Sequence, residues 1–258
     1  MIEIVDTHAH IHMPQFEMDR DSIIGSFEKE GIAFIIEVGV DLKSSKRAIK
    51  LAYDNQKIFS AVGIHPHDVK DIKSEVLEEL EKLAKFSRVV AIGEIGLDYY
   101  RNLSPRELQK RYFIEQIKIA KKLDKPIIVH IRDAYDDALD ILKEHAKELR
   151  VVIHSFSGDI NDARVALSLG FFLGIGGPVT FKNAHKLREI VKEIPLDFIL
   201  SETDCPYLTP EPFRGRRNEP KYVRYVIEKI AQIKGLDIEL VANQILENSK
   251  KFFNIKVK

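Results

Sequence analysis

The chain has 258 residues, of which 45% are apolar and 31% charged, and its 40 basic and 40 acidic side chains give a formal net charge of zero. That balance provides for a large core and a solvated exterior, and it excludes a protein that coats nucleic acid through bulk positive charge. No run approaches the roughly 18 apolar residues of a membrane span, the opening Met1-Ile2-Glu3-Ile4-Val5-Asp6 has no signal-peptide character, and Cys205 stands alone, so no internal disulfide is possible and a cytoplasmic location is expected.

Short β-branched apolar runs alternate with helical stretches along the whole chain, the pattern of a parallel sheet built from βα units. In chain order the runs are residues 2–7, 33–40, 58–64, 89–95, 126–131, 151–155, 171–176 and 198–202. Most are continuous rather than alternating, as strands covered on both faces require. Eight such runs predict an α/β fold of the (β/α)8 TIM-barrel type, and a barrel of about 250 residues fits one domain spanning residues 1–258.

Between the runs, Ser104-Pro105-Arg106-Glu107 predicts a helix start with Ser104 as N-cap, followed by an apolar stripe of Leu108, Tyr112, Phe113, Ile117 and Ala120. Gly31 and Gly170 fall where a helical segment gives way to a strand and a left-handed residue is wanted. Residues 222–234 and 236–253 read as two closing helices separated by Gly235.

The unusual polar residues collect at one end of this strand map. His8 and His10 follow the first run, His65 and His67 the third, Glu94 ends the fourth, His130 the fifth and His154 the sixth, and Asp204 follows the eighth. That is the C-terminal face, where TIM-barrel active sites are built. With His12, this rim accounts for all the histidines except His145 and His185. The i, i+2 spacing of His8 and His10 turns both imidazoles to one side of an extended chain. Imidazole and carboxylate donors suit zinc, manganese or a related divalent ion, and Glu94 is the candidate to bridge two of them.

Asp6-Thr7-His8-Ala9-His10, Gly63-Ile64-His65-Pro66-His67, Gly93-Glu94-Ile95-Gly96-Leu97-Asp98-Tyr99, Ser155-Phe156-Ser157-Gly158, Glu202-Thr203-Asp204-Cys205-Pro206-Tyr207-Leu208 and Arg216-Arg217-Asn218-Glu219-Pro220 resemble the successive signatures of the TatD family of metal-dependent deoxyribonucleases. They span most of the chain in the family's order. The resemblance implies a hydrolase of the amidohydrolase-like barrels, with His8, His10, Glu94 and Asp204 around one ion and Glu94, His130 and His154 around a second. The ions would be zinc, manganese or magnesium. His65 would lie beside them and contact the substrate phosphate.

On this reading the reaction is hydrolysis of nucleic-acid phosphodiesters, DNA foremost, by a water that two cations activate. Asp204 and Glu94 are the expected catalytic carboxylates, with Asp204 orienting the water or taking its proton. Glu202, two residues earlier, is a candidate partner for a ligand histidine. Arg101, Arg132, Arg214, Arg216 and Arg217 all fall in loops of the active face, with Arg101 and Arg132 the expected phosphate contacts; Tyr99, Tyr100, Tyr207 and Phe213 are candidate stacking rings. Cys205, with no activating base in its motif, reads as a small buried residue.

The alternative within the fold is hydrolysis of a carboxylic or aminoacyl ester such as aminoacyl-tRNA. Many such barrels bridge their metals with a carbamylated lysine late in the fourth strand, and here that position reads Gly93-Glu94, which favours the TatD-like branch. A non-enzymatic metal-binding scaffold is disfavoured by the intact ligand set. Oligomeric state is not legible.

Overall fold

The computed structural model describes residues 2–256. Its eight strands are β1 (Ile4–Ala9), β2 (Ile32–Val38), β3 (Ile58–Val62), β4 (Val89–Asp98), β5 (Ile127–Arg132), β6 (Val151–His154), β7 (Phe172–Ile175) and β8 (Ile199–Ser201). They form one sheet in sequential order, every neighbouring pair parallel. Around it lie α1 (Arg20–Gly25), α2 (Leu42–Asp54), α3 (Ser74–Ala84), α4 (Arg106–Lys122), α5 (Tyr135–His145), α6 (Ile160–Ser168), α7 (His185–Glu193), α8 (Val223–Lys234) and α9 (Ile238–Phe253). This is the TIM-barrel architecture that the alternating pattern predicts.

The barrel closes between β1 and β8 through side chains more than through a ladder. Ala9 and Cys205 make a single parallel bridge. Thr7 Oγ1 donates to the Ser201 carbonyl at 3.0 Å, and Ser201 Oγ donates to the Val5 carbonyl at 2.8 Å. Asp6 fills the gap: Oδ1 accepts from the N–H of Thr203 at 2.8 Å, and Oδ2 lies 2.5 Å from the Thr203 hydroxyl. Burial pushes the Asp6 carboxyl up to about 8, against the pull of those hydrogen bonds.

The β-branched runs became strands because branched side chains pack on both faces of a covered sheet. Ile35, Ile36, Ile92, Ile95, Val129 and Ile153 are fully enclosed. The helices supply the outer layer: Phe113, Ile117 and Ala120 of α4 are buried, as the stripe requires. Gly31 and Gly170 take φ of 75° and 77°, and Gly235 ends α8 at φ 64° before Asp237 caps α9.

Three expectations shift. β1 runs on to Ala9, so His8 lies within the strand instead of after it, and β4 continues past Glu94 to Asp98. Ser104 is not the N-cap of α4, which opens at Arg106 behind Pro105. Its hydroxyl donates to the His67 carbonyl at 2.8 Å and accepts from the Lys70 N–H at 3.2 Å, so it ties two active-face loops together. Among the described residues, no helix is long and apolar enough to cross a membrane.

Candidate metal centre

Each strand delivers its polar residue to the same end of the barrel, and Glu94 of β4 stands in the middle. Its Oε2 lies 3.4 Å from His8 Nε2 and 3.9 Å from His10 Nε2. Its Oε1 lies 2.9 Å from His130 Nδ1, 3.5 Å from His65 Nε2 and 3.6 Å from His154 Nε2. The two oxygens thus face two different donor sets. Burial works to raise the Glu94 carboxyl, yet the charges of His65 and His154 and the hydrogen bond from His130 hold it well below the usual carboxylate range.

On the Oε2 side, His10 Nδ1 donates to the Val38 carbonyl at 2.7 Å, which leaves Nε2 as a lone pair. That nitrogen is 3.1 Å from His8 Nε2 and 3.4 Å from Asp204 Oδ1. Asp204 is brought there by backbone pairing after β8: its N–H donates to the His8 carbonyl, and the His10 N–H donates to the Cys205 carbonyl, both at 2.9 Å. Burial raises the Asp204 carboxyl, but His10, His154 and His8 bring it below its ordinary value. Asp204 also adopts φ 56°, a left-handed conformation uncommon outside glycine, asparagine and aspartate.

On the Oε1 side, both nitrogens of His130 face carboxylates. Nε2 is 3.1 Å from Asp98 Oδ2, while Nδ1 faces Glu94. The ring therefore either carries a second proton or shares a cation with Glu94. Asp98 is itself enclosed and fixed by His67 Nε2 at 2.8 Å and by the Arg101 N–H at 2.7 Å. His154 Nδ1 lies 3.1 Å from Glu202 Oε1, at ion-pair distance but out of hydrogen-bond alignment. Burial alone would lower His154, yet Glu202 and Glu94 push it up to about 10. A Cβ at Gly174 would sit 2.3 Å from Glu202 Oε2, so the absence of a side chain on β7 makes room for that carboxylate. His65 Nδ1 accepts from the His67 N–H at 3.2 Å, and burial lowers its ring to about 4 although Glu94 opposes the shift.

This donor set fits divalent cations. A four-coordinate ion with ligands at about 2.0–2.2 Å sets neighbouring donors about 3.3–3.6 Å apart, and the spacings around Glu94 fall on or near that range. His8 Nδ1 and His154 Nδ1 are buried without a hydrogen-bond partner among the described residues, and the potential donors gather as His8, His10 and Asp204, as His8, His154 and Glu202, and as His65, Glu94 and His130. The Nε2 atoms of the same two rings face Glu94, so a cation there would leave each Nδ1 to carry the proton, with Glu202 beside that of His154.

The sequence model of the TatD related DNase family matches residues 5–254. The chain belongs to the TatD family. Among its TatD-like relatives, the metal-dependent hydrolase YabD of Bacillus subtilis is 45% identical over 253 residues, covering 98% of this chain and 99% of that protein. The 3'-5' ssDNA/RNA exonuclease TatD of Escherichia fergusonii is 35% identical, covering 97% and 98%. The crystal structure of the TatD homologue YJJV from Escherichia coli superimposes with a TM-score of 0.92 at 30% identity, covering 98% of each chain.

In this TatD barrel the metal-side residues expected from the sequence, His8, His10, His65, Glu94, His130, His154 and Asp204, come together, and Glu202 joins them. The outer residues divide. A cavity of about 1120 Å³ opens over the centre, and Arg101, Arg132 and Tyr207 line it. Arg217 does not: it pairs with both oxygens of Asp19, at 2.9 and 2.6 Å, and with Glu219 at 3.1 Å. Arg214 and Arg216 lie against the rings of Phe181 and Phe213. Tyr99 donates to Asp137 at 2.6 Å, Tyr100 lies under Arg132, and Phe213 stacks on Tyr222. His185, set aside in the sequence, lines the cavity, whereas His145 stays at the end of α5. Asp98, quoted within a motif without a role, was detectable: four residues after Glu94 on an extended strand, it lies on the same side. Cys205 is buried and its thiol is pushed well up by burial, as an inert residue should be.

Proposed function

We propose that this metal-dependent hydrolase of the TatD family cleaves phosphodiester bonds of single-stranded nucleic acid, DNA foremost, at accessible ends. The observation that carries the reading is the two-sided environment of Glu94, with His8, His10 and Asp204 toward Oε2 and His130, His154 and His65 toward Oε1. Two ions are assigned to those sets, the first held by His8, His10, Glu94 and Asp204 and the second by Glu94, His130 and His154. Imidazole donors favour zinc, while the carboxylates Glu94 and Asp204 also suit manganese or magnesium. The name of the Escherichia fergusonii relative, a single-strand exonuclease, supports the substrate class.

Bound divalent cations neutralise the charge of a phosphodiester and lower the pKa of water. The residues of the chain do the rest. Asp204, kept ionised by its histidine neighbours, orients the attacking water and accepts its proton. Asp98 and Glu202 hold the rings of His130 and His154 in place from behind. His65 reaches the substrate phosphate from the cavity wall, and Arg101 and Arg132 take the flanking phosphates. One hydrolase domain across residues 1–258 and a cytoplasmic setting belong to the same reading, the latter supported by the lone buried thiol.

The test is hydrolysis by the purified protein, with and without chelator, of a linear single strand, a closed circular duplex and methyl p-nitrophenyl phosphate. Metal-dependent cleavage with a clear preference for the single strand is expected. Equal rates on the circle and the strand, or activity that survives the chelator, would overturn it.

A further inference from the structure

The lining of the cavity over the metal centre is mixed, and it includes both cations and rings, with Lys186 and His185 beside Leu187 and with Leu103 and Ile131 beside Arg101 and Arg132. Those arginines come from the ends of β4 and β5, and neither forms an ion pair among the described residues. Phe156, Pro178, Phe181 and Leu187, which follow β6 and β7, also line it. A single nucleic-acid strand offers both anionic phosphates and apolar base faces to such a lining.

Phe181 is the ring best prepared in that lining. It follows the short turn Gly177–Thr180, and its carbonyl accepts from Arg188 of α7 at 2.6 Å and from the Ala184 N–H at 3.1 Å, so its backbone is fixed. The Arg214 guanidinium carbon lies 4.1 Å from its ring centroid, and Arg214 is not part of the cavity lining. Phe181 thus lines the cavity and carries a cation on its ring. A cation behind one face draws electron density from the ring and favours a further stack with an electron-rich heterocycle in front.

Resting on the nuclease reading above, we infer that Phe181 is a stacking platform for a nucleobase of the bound strand and a determinant of preference for base-bearing substrates. Arg214 acts through it, as the positioning residue that backs the ring. Neither residue is one of the proposed metal donors, so the role is separable from that of the metal centre.

The experiment compares kcat/KM on an oligodeoxythymidylate and on a strand of the same length built from abasic tetrahydrofuran sugars. Loss of one base–aromatic stack is expected to cost about tenfold. Phe181→Ala should show that loss on the thymidylate strand and a much smaller one on the abasic strand, mainly through KM. Phe181→Leu keeps the apolar volume without the π face and should behave like Phe181→Ala, whereas Phe181→Trp should keep most of the parent's rate. An equal loss on both strands, full rescue by leucine, or no loss on the thymidylate overturns the inference. A parent that hydrolyses methyl p-nitrophenyl phosphate but no strand at all overturns the nuclease reading, and this inference with it.

Discussion

Gln116, on the buried face of α4, closes both backbone hydrogen bonds of Ile64: its Oε1 accepts from the Ile64 N–H at 2.7 Å, and its Nε2 donates to the Ile64 carbonyl at 3.1 Å. The next residue is His65. Two helical turns earlier, Gln109 brackets Asp98 the same way, at 2.8 and 3.2 Å. One helix thus fixes the backbone beside two groups of the metal centre. Gln116→Leu should leave the Ile64 pair unsatisfied and cost about 2 kcal/mol or more. Urea denaturation measures it, and an unchanged midpoint would count against the clamp.

Glu94→Gln tests the bridge. The amide keeps the shape but loses the charge and donates where it should accept, so both ions should be lost together. His8→Ala should weaken mainly the ion shared with His10 and Asp204. Elemental analysis after dialysis reads the stoichiometry. A Glu94→Gln protein that retains two ions, or loses only one, would require a different bridge.

His130→Ala and His154→Ala should each abolish or nearly abolish hydrolysis while circular dichroism stays that of the parent. His145→Ala is the control, because that ring lies at the end of α5, 3.7 Å from Glu144. Asp98→Asn should lower the rate by about 10- to 100-fold through the orientation of His130. Parent-like turnover in Asp98→Asn would show that the ring is held by other means.

Arg217 carries a stability prediction in place of the expected substrate role. Its guanidinium holds the Asp19 carboxyl below the usual range. A depressed carboxyl stabilises the fold above its unfolded pKa of about 3.9, and that contribution is lost as pH falls through the folded value. Arg217→Ala should therefore lower the melting temperature slightly at pH 7 and in low salt, the pair being largely exposed. The gap between variant and parent should narrow below about pH 4. A gap that persists into acid would assign the effect to the packing of Arg217 on Phe16.

The strand order and the inner ligands were legible because both follow local rules: β-branched runs mark strands, and barrel chemistry gathers at their C-terminal ends. The outer ring was not. Five arginines share the active-face loops, but whether a guanidinium faces the cavity, as Arg132 does, or is consumed by Asp19, as in Arg217, depends on contacts between distant segments. Ser104 failed as a cap for the same reason, its hydroxyl being claimed by the loop of His67 and Lys70. Gln109 and Gln116 left a faint sign as two amides within an otherwise apolar helical face.

The seam between β1 and β8 sets an order of events. Thr7 and Ser201 are 194 residues apart and Asp6 and Thr203 197, whereas His65, Glu94, His130 and His154 all fall within the middle of the chain. Closing so long a loop adds little cost, since each doubling of length adds only about 0.6 kcal/mol. What it imposes is timing. A chain emerging from the ribosome has every member of the His130 set before β8 exists, while His8 and His10 wait as an unfinished pair until Asp204, residue 204 of 258, has been made. A truncation between His154 and Asp204 should therefore keep every donor of one set and deprive the other of the Asp204 carboxylate.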